Sequence, residues 1–92
     1  MRLDKYLKVS RLIKRRTIAK EVCDAGRIQI NGRKAKAVSD VVVGDILQIA
    51  YGGKTTEVEV TLVAETMKAS DAADMYRILK ETKNSQIDPD EG

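Results

Sequence analysis

Ninety-two residues, with 17 Lys and Arg against 14 Asp and Glu, hold one domain and carry a net charge of +3. Hydrophobic residues make up 42% of the chain but Phe and Trp are absent and only three Tyr are present; an aliphatic core is feasible, whereas a run of stacked aromatics for single-stranded nucleic acid is not. Cys23 stands alone and His is absent, which excludes an intramolecular disulfide, a Cys-based zinc site and the commonest general base.

The elements are legible in chain order. Leu3 and Leu7 lie one turn apart with Tyr6 beside them, so Leu3 to Val9 forms a short helix that Ser10 breaks or caps. In the next stretch, RLIKRRT, Leu12 and Ile13 enter the core while Arg11, Lys14, Arg15 and Arg16 stay in water. Thr17 is placed to cap a second helix, Ile18 to Asp24, whose apolar face is Ile18, Ala19, Val22 and Cys23. Arg16 and Lys20 share another face. Gly26 suits the left-handed position that ends this helix. The period then becomes two: Ile28 and Ile30 alternate with Arg27 and Gln29, and Asn31-Gly32 is a strong hairpin signal, with Arg33 to Ala37 returning. Gly44-Asp45 turns into a strand over Ile46 to Tyr51, and Gly52-Gly53 turns into a last strand, Thr55 to Val63. Ser70 is placed to cap a third helix from Asp71 to about Lys83, because Ala72, Met75, Tyr76 and Leu79 fall at helical spacing. The polar stretch 84–92 is expected to be a loose tail.

Charge is unevenly distributed along this order. Met1 to Lys36 carries 12 Lys and Arg against Asp4, Glu21 and Asp24, a net of +9, and the remaining 56 residues carry 5 basic against 11 acidic side chains, a net of −6. A small domain with one intensely basic end is suited to a polyanion. Arg11, Lys14, Arg15 and Arg16 form one cluster, and Arg27, Arg33, Lys34 and Lys36 a second around the hairpin. Arginine fits this work because its planar fork grips phosphate with two parallel hydrogen bonds and stays charged. Asp4 has two readings: a helix-start residue paired with a basic neighbour, or the group that orients Arg2 or Arg16. Gly26, Asn31, Gly32, Gly44 and Asp45 are most simply turn chemistry, and Asn31-Gly32 also permits close backbone approach to a phosphate. Cys23 is a small core residue, and Glu57 and Glu59 face solvent and repel RNA.

The stretches MRLDKYL, SRLIKRRTIAKEVCDAGRIQINGRKA and VVVGDILQI resemble the S4 RNA-binding domain. The family pattern runs R-[LI]-D-x-[FY]-L, S-R-x-x-A, G-x-[IV]-x-[IV]-N-G and x-x-G-D. These pieces fall on Arg2 to Leu7, Ser10 to Ala19, Gly26 to Gly32 and Gly44-Asp45. One departure is the longer RLIKRRTIA stretch after Ser10-Arg11, where many members place Ser-Arg nearer the second helix. The resemblance implies an α+β fold in which two N-terminal helices pack on a small, mostly antiparallel sheet. The expected organisation is an S4-type RNA-binding domain over 1–64 (core motif 1–50), a C-terminal helical extension over 65–83 and a flexible tail over 84–92.

Within that family the whole chain, including Met75 to Lys80 (MYRILK), is most similar to the small S4 proteins of bacterial ribosome-associated quality control. That similarity implies partners: 23S rRNA and the 50S subunit, the peptidyl-tRNA left on it, and a NEMF-family tailing factor (RqcH-like) that extends stalled chains with alanine. Arg2, Asp4 and Arg16 are the positions it marks as RNA contacts or their organisers. The expected RNA-binding set is Arg2, Asp4, Lys5, Arg11, Lys14, Arg15, Arg16, Thr17, Lys20, Arg27, Asn31, Arg33, Lys34 and Lys36. The alternatives within the class are a heat-shock S4 protein that recycles large subunits carrying nascent chain-tRNA, and a ribosome-assembly RNA-binding protein. No catalytic constellation is present, so a non-enzymatic factor without metal or cofactor is expected. No apolar run approaches the ~20 residues of a membrane span and no signal peptide is visible, so a cytoplasmic protein with no membrane partner is expected; the resemblance implies that it is ribosome-associated, and a monomer is expected.

Overall fold

The computed structural model describes residues 1–83. Two helices, α1 (Leu3–Val9) and α2 (Arg16–Asp24), precede strands β1 (Ile28–Ile30), β2 (Arg33–Lys34), β3 (Ile46–Tyr51) and β4 (Lys54–Val60). A 3-10 helix, Ala69–Met75, leads into β5 (Tyr76–Lys83). The strands form one antiparallel sheet in the order β2-β1-β3-β4-β5. The fold is α+β, as the residue pattern requires.

The core is mainly aliphatic. Leu3, Tyr6 and Leu7 on α1, Ala19, Val22 and Cys23 on α2, and Ile28, Leu47, Ile49, Val58 and Val60 on the sheet are all buried. Ile13 is buried between the helices while Leu12 is half-buried, so the connection is anchored by one side chain and leaves its cations outside. Tyr6 donates its buried hydroxyl to the Met75 carbonyl at 2.6 Å, tying α1 to the end of the 3-10 helix. Burial, with Tyr76 nearby, raises the Tyr6 pKa.

Four expectations change in detail. Helix α2 begins at Arg16, with Arg15 as its N-cap and no side-chain cap, so Thr17 lies inside the first turn. The returning hairpin strand is only Arg33–Lys34, and the last predicted strand ends at Val60 rather than Val63. The expected helix over 71–83 is the largest correction. Its first part is the 3-10 helix, with Ser70 inside it and Lys68 at its N-cap, burying Ala72 and Met75. Its second part is a strand, so 65–83 is not a separate helical extension: β5 adds to the same sheet.

The reason is tertiary. The free edge of β4 offers a full row of backbone hydrogen bonds, and Tyr76, Ile78 and Thr82 suit a pleated surface better than a short helix. Arg77 faces Glu59 across the strands and bonds it at 2.5 Å, and Lys80 faces Glu57. A bulge at Leu79 restores the register, since Glu57 pairs with Lys80 and Val58 with Ile78. The tail expected over 84–92 lies outside the described residues.

Candidate nucleic-acid interface

The basic end is organised around one buried carboxylate. Asp4 sits in the first turn of α1 and is 2% exposed, yet Arg2 and Arg16, which it holds, are about half exposed. Arg2 donates through Nε and Nη2 to the two oxygens of Asp4 at 3.3 and 3.2 Å. Arg16, from the start of α2, reaches the same carboxylate at 3.3 and 3.4 Å. The backbone N–H of Lys5 adds a bond at 2.7 Å. Burial acts to raise the Asp4 pKa, but the hydrogen bonds of Arg16, Lys5 N–H and Arg2, with the charge of Arg16, outweigh it and hold the carboxyl below its ordinary value of 3.8. Both readings of Asp4 are therefore realised in one residue: it starts the helix and orients two arginines. Its side chain is shielded from a macromolecular ligand, so its part in any RNA contact is indirect.

Local backbone geometry carries this cluster to the second one. Leu3 and Asp4 donate their N–H groups to the carbonyls of Ser39 and Ala37, at 2.8 and 3.1 Å, and Arg2 bridges to Asp40. The start of α1 is thus fastened beside Lys36, whose own N–H is bonded by the Ser39 hydroxyl at 2.8 Å. Lys34 and Lys36 line an open groove of about 550 Å³ with Cys23, Asp24 and Gly26 at the end of α2. Gly26 has φ +75°, a left-handed conformation that residues with a side chain rarely adopt, and it turns the chain from α2 beside the Lys34 stem. Burial, then the nearby charges of Asp4 and Asp24, push the Cys23 thiol up to about 11, which makes it a poor nucleophile and leaves it a core residue.

The remaining expected positions fall in three places. Arg11, Lys14 and Arg15 are exposed on the α1–α2 connection, and Thr17 and Lys20 on α2. Arg11 has φ +66°, the left-handed region that non-glycine residues rarely occupy. Arg27 and Arg33 are exposed on the strand side. Lys5 is drawn away from this surface by an ion pair with Glu65. Asn31 adopts φ +52° at the hairpin tip, and its side-chain amide is engaged within the protein: Nδ2 donates to Asp45 at 3.1 Å and Oδ1 accepts from Ile46 N–H at 2.9 Å. The turn reading of Asn31 is the one its contacts realise.

Two further residues, outside the expected set, shape the surface. Ser10 is fully buried, and its hydroxyl donates to the Leu7 carbonyl at 3.2 Å and accepts from Leu12 N–H at 3.4 Å, fixing the start of the basic connection. Ser39 fixes Lys36 as described. A serine after an amphipathic turn is a visible signal for the first, whereas nothing local marks the second.

This arrangement defines a class. A helix pair whose basic faces are fastened to a hairpin is matched by the S4 domain model over residues 1–47, and the chain belongs to the S4 domain family. Its relatives include the RQC P-site tRNA stabilizing factor of Bacillus subtilis, 61% identical over 83 residues that cover 90% of this chain and 96% of that protein. The factor of the same name from Streptococcus pneumoniae is 54% identical over 83 residues, covering 90% and 94%. Among solved structures, the trimeric heat shock protein 15 of Vibrio cholerae superposes with a TM-score of 0.80 at 26% identity, covering 85% of this chain and 80% of that one.

Proposed function

We propose that this protein is a non-enzymatic RNA-binding factor of bacterial ribosome-associated quality control. It grips 23S rRNA and the peptidyl-tRNA on obstructed 50S subunits and supports C-terminal alanine tailing by a NEMF-family factor. The carrying observation is the buried Asp4 that presents two half-exposed guanidinium groups. A carboxylate in that position fixes each arginine fork before a phosphate arrives, so less side-chain freedom is lost on binding. The relatives' name supports the quality-control setting and the P-site tRNA as ligand.

The mechanism is positioning. Phosphate contacts fix orientation, and the A-form shape of the RNA is read rather than its base sequence. Arg2, Arg16 and the exposed cations of the α1–α2 connection form one part of the grip, and Lys34 and Lys36 the other, with Arg27 and Arg33 beside them. Asp4 organises, and Lys5 and Asn31 contribute least, because their side chains are already engaged. The site is cytoplasmic by virtue of its ligand, and no helix among the described residues is long and apolar enough to cross a membrane.

The test is sedimentation with a functional readout. The protein co-sediments with free large subunits bearing peptidyl-tRNA in preference to intact ribosomes, and Arg2→Ala or Arg16→Ala abolishes alanine tailing while the protein stays folded. Association mainly with small subunits or intact ribosomes, or normal tailing in cells lacking the protein, overturns the assignment. The recycling-type reading then takes its place, as the likeness to heat shock protein 15 favours it next. The reading takes one copy per subunit, and light scattering of the free protein checks that against the trimer described for the Vibrio structure.

A further inference from the structure

A second concave site lies on another stripe of α2 from the one that carries Arg16 and Lys20. Ile18, Glu21, Val22 and Ala25 fall at i, i+3, i+4 and i+7 and meet the end of β3 across a groove of about 360 Å³. The floor is Ile18, Val22 and Ala50, and the rim carries Glu21, Arg27 and Tyr51. Tyr51 is 40% exposed, whereas Tyr6 is buried and Tyr76 is half-buried. It is therefore the one aromatic among the described residues that offers a large open surface. Glu21 and Arg27 are exposed, of opposite charge, and line the same groove, yet neither enters an ion pair among the described residues.

We propose that this groove takes a single unpaired guanine nucleotide of the bound RNA, with Tyr51 against the base, Glu21 on its Watson–Crick edge and Arg27 on its phosphate. The inference rests on the RNA-binding reading above and adds a base-reading element to it. A carboxylate accepts and does not donate. Guanine is the base that presents two adjacent donors, N1–H and the 2-amino group, and it presents them only when unpaired. The apolar floor suits a base taken out of its stack, and a single aromatic or apolar face suffices for one base.

Continuity with the basic surface selects RNA as the occupant. The turn Ala25-Gly26-Arg27 separates the two grooves: Ala25 lines both, Gly26 lines the lysine groove and Arg27 this one. A strand whose phosphates follow Lys36 and Lys34 thus meets Arg27 next, at the rim of the Tyr51 groove.

The experiment compares a fully paired RNA hairpin with the same hairpin carrying one unpaired guanosine, by fluorescence anisotropy at several salt concentrations. Wild type should bind the second about tenfold more tightly, the scale of one stacked base. Tyr51→Ala and Glu21→Gln should each remove that preference and leave affinity for the paired hairpin unchanged, while Tyr51→Phe keeps it. Inosine, which lacks the 2-amino group, should weaken wild type but not Glu21→Gln, an exposed and conservative change that leaves the fold intact. Equal binding of both hairpins by wild type, or a preference that survives both Tyr51→Ala and Glu21→Gln, overturns the proposal. So does equal weakening of both hairpins by Tyr51→Ala. If both hairpins bind equally with steep salt dependence, the base site alone is wrong, whereas if neither binds, the RNA-binding reading falls with it.

Discussion

The two edges of the sheet handle charge in opposite ways. On the β2 side and over the helices, Arg11, Lys14, Arg15, Lys20, Arg27, Arg33, Lys34 and Lys36 are exposed and enter no ion pair among the described residues. On the β4–β5 side, Lys54 pairs with Glu81 at 2.9 Å and Arg77 with Glu59 at 2.5 Å. One of the three carboxylates of the basic end, Asp4, aims two of its arginines, whereas the acidic end pairs charges across its own strands. Unpaired like charges destabilise a compact domain through mutual repulsion. Their concentration at one end is the pattern on which the proposed binding surface rests, and the ladder at the other is ordinary sheet stabilisation.

The largest expected effect comes from removing charge at the basic end, at one unpaired arginine and one that Asp4 holds. Arg15→Ala combined with Arg16→Ala should weaken RNA binding by tenfold or more. It should also flatten the plot of log affinity against log salt by about 0.7 to 0.9 for each phosphate that is no longer neutralised. Glu57→Lys with Glu59→Lys, at the paired edge, should not weaken binding. If the arginine variant keeps both its affinity and its salt slope, the contrast between the edges is not functional.

Asp4→Asn sharpens the comparison from within the basic end. The amide still accepts the Lys5 N–H bond but no longer holds two cations. Breaking a fully buried ion pair costs about 3–5 kcal/mol, and since Arg2 and Arg16 are half exposed the cost here should be nearer 1–2 kcal/mol. The pKa of Asp4 is lowered on folding, so its ionised form contributes stability above its ordinary value of 3.8, and that contribution is lost as pH falls below it toward the folded value. Urea midpoints of wild type and Asp4→Asn should therefore differ at neutral pH and converge in strong acid. RNA affinity at neutral pH should fall severalfold as the arginines lose their alignment.

Most of this contrast is readable from the residues. Leu3–Val9 and Ile46–Tyr51 stand where the pattern puts them, because an amphipathic turn and a strand between two glycine turns are local signals. The two basic clusters are also local. The joint grip of Asp4 on Arg2 and Arg16 is only half legible: the spacing of Asp4 and Arg16 gives no direct sign that two separate helices bring them together. The β5 strand reads as helix because Ala72, Met75, Tyr76 and Leu79 satisfy a helical period, and what decides the matter is the unoccupied edge of β4, a long-range fact. Even the charges that face Glu59 and Glu57, Arg77 and Lys80, stand three apart because of the bulge, a spacing that also reads as helix. The groove of Tyr51, Glu21 and Arg27 joins residues of three segments and has no sequence signature.

A smaller effect should come from Arg11. An arginine at φ +66° is strained by about 1 kcal/mol, and glycine there relieves it while gaining freedom in the unfolded chain. Arg11→Gly should thus be neutral to slightly stabilising in thermal melts, by about 0.5 kcal/mol at most, and yet weaken RNA binding. Strain kept at an exposed position is accounted for if the side chain works there. A variant that gains stability and keeps full affinity removes Arg11 from the interface.

The smallest effect is expected at Arg77, and it tests the paired edge directly. Arg77 and Glu59 meet across β4 and β5, with the Arg77 side chain 68% exposed, so water screens the pair. Such exposed pairs contribute about 0.2–1 kcal/mol. Arg77→Ala should lower the urea midpoint by an amount near the lower end of that range, since β5 is also held by its backbone ladder to β4. High salt should erase most of the difference between the two proteins, because it screens the charge and leaves the ladder intact. RNA affinity should be unchanged, although a positive charge has been removed from a protein that binds a polyanion. A loss of affinity comparable to that of the Arg15 and Arg16 variant would mean that RNA reaches across the sheet to β5, and the division into a binding edge and a structural edge would have to be redrawn.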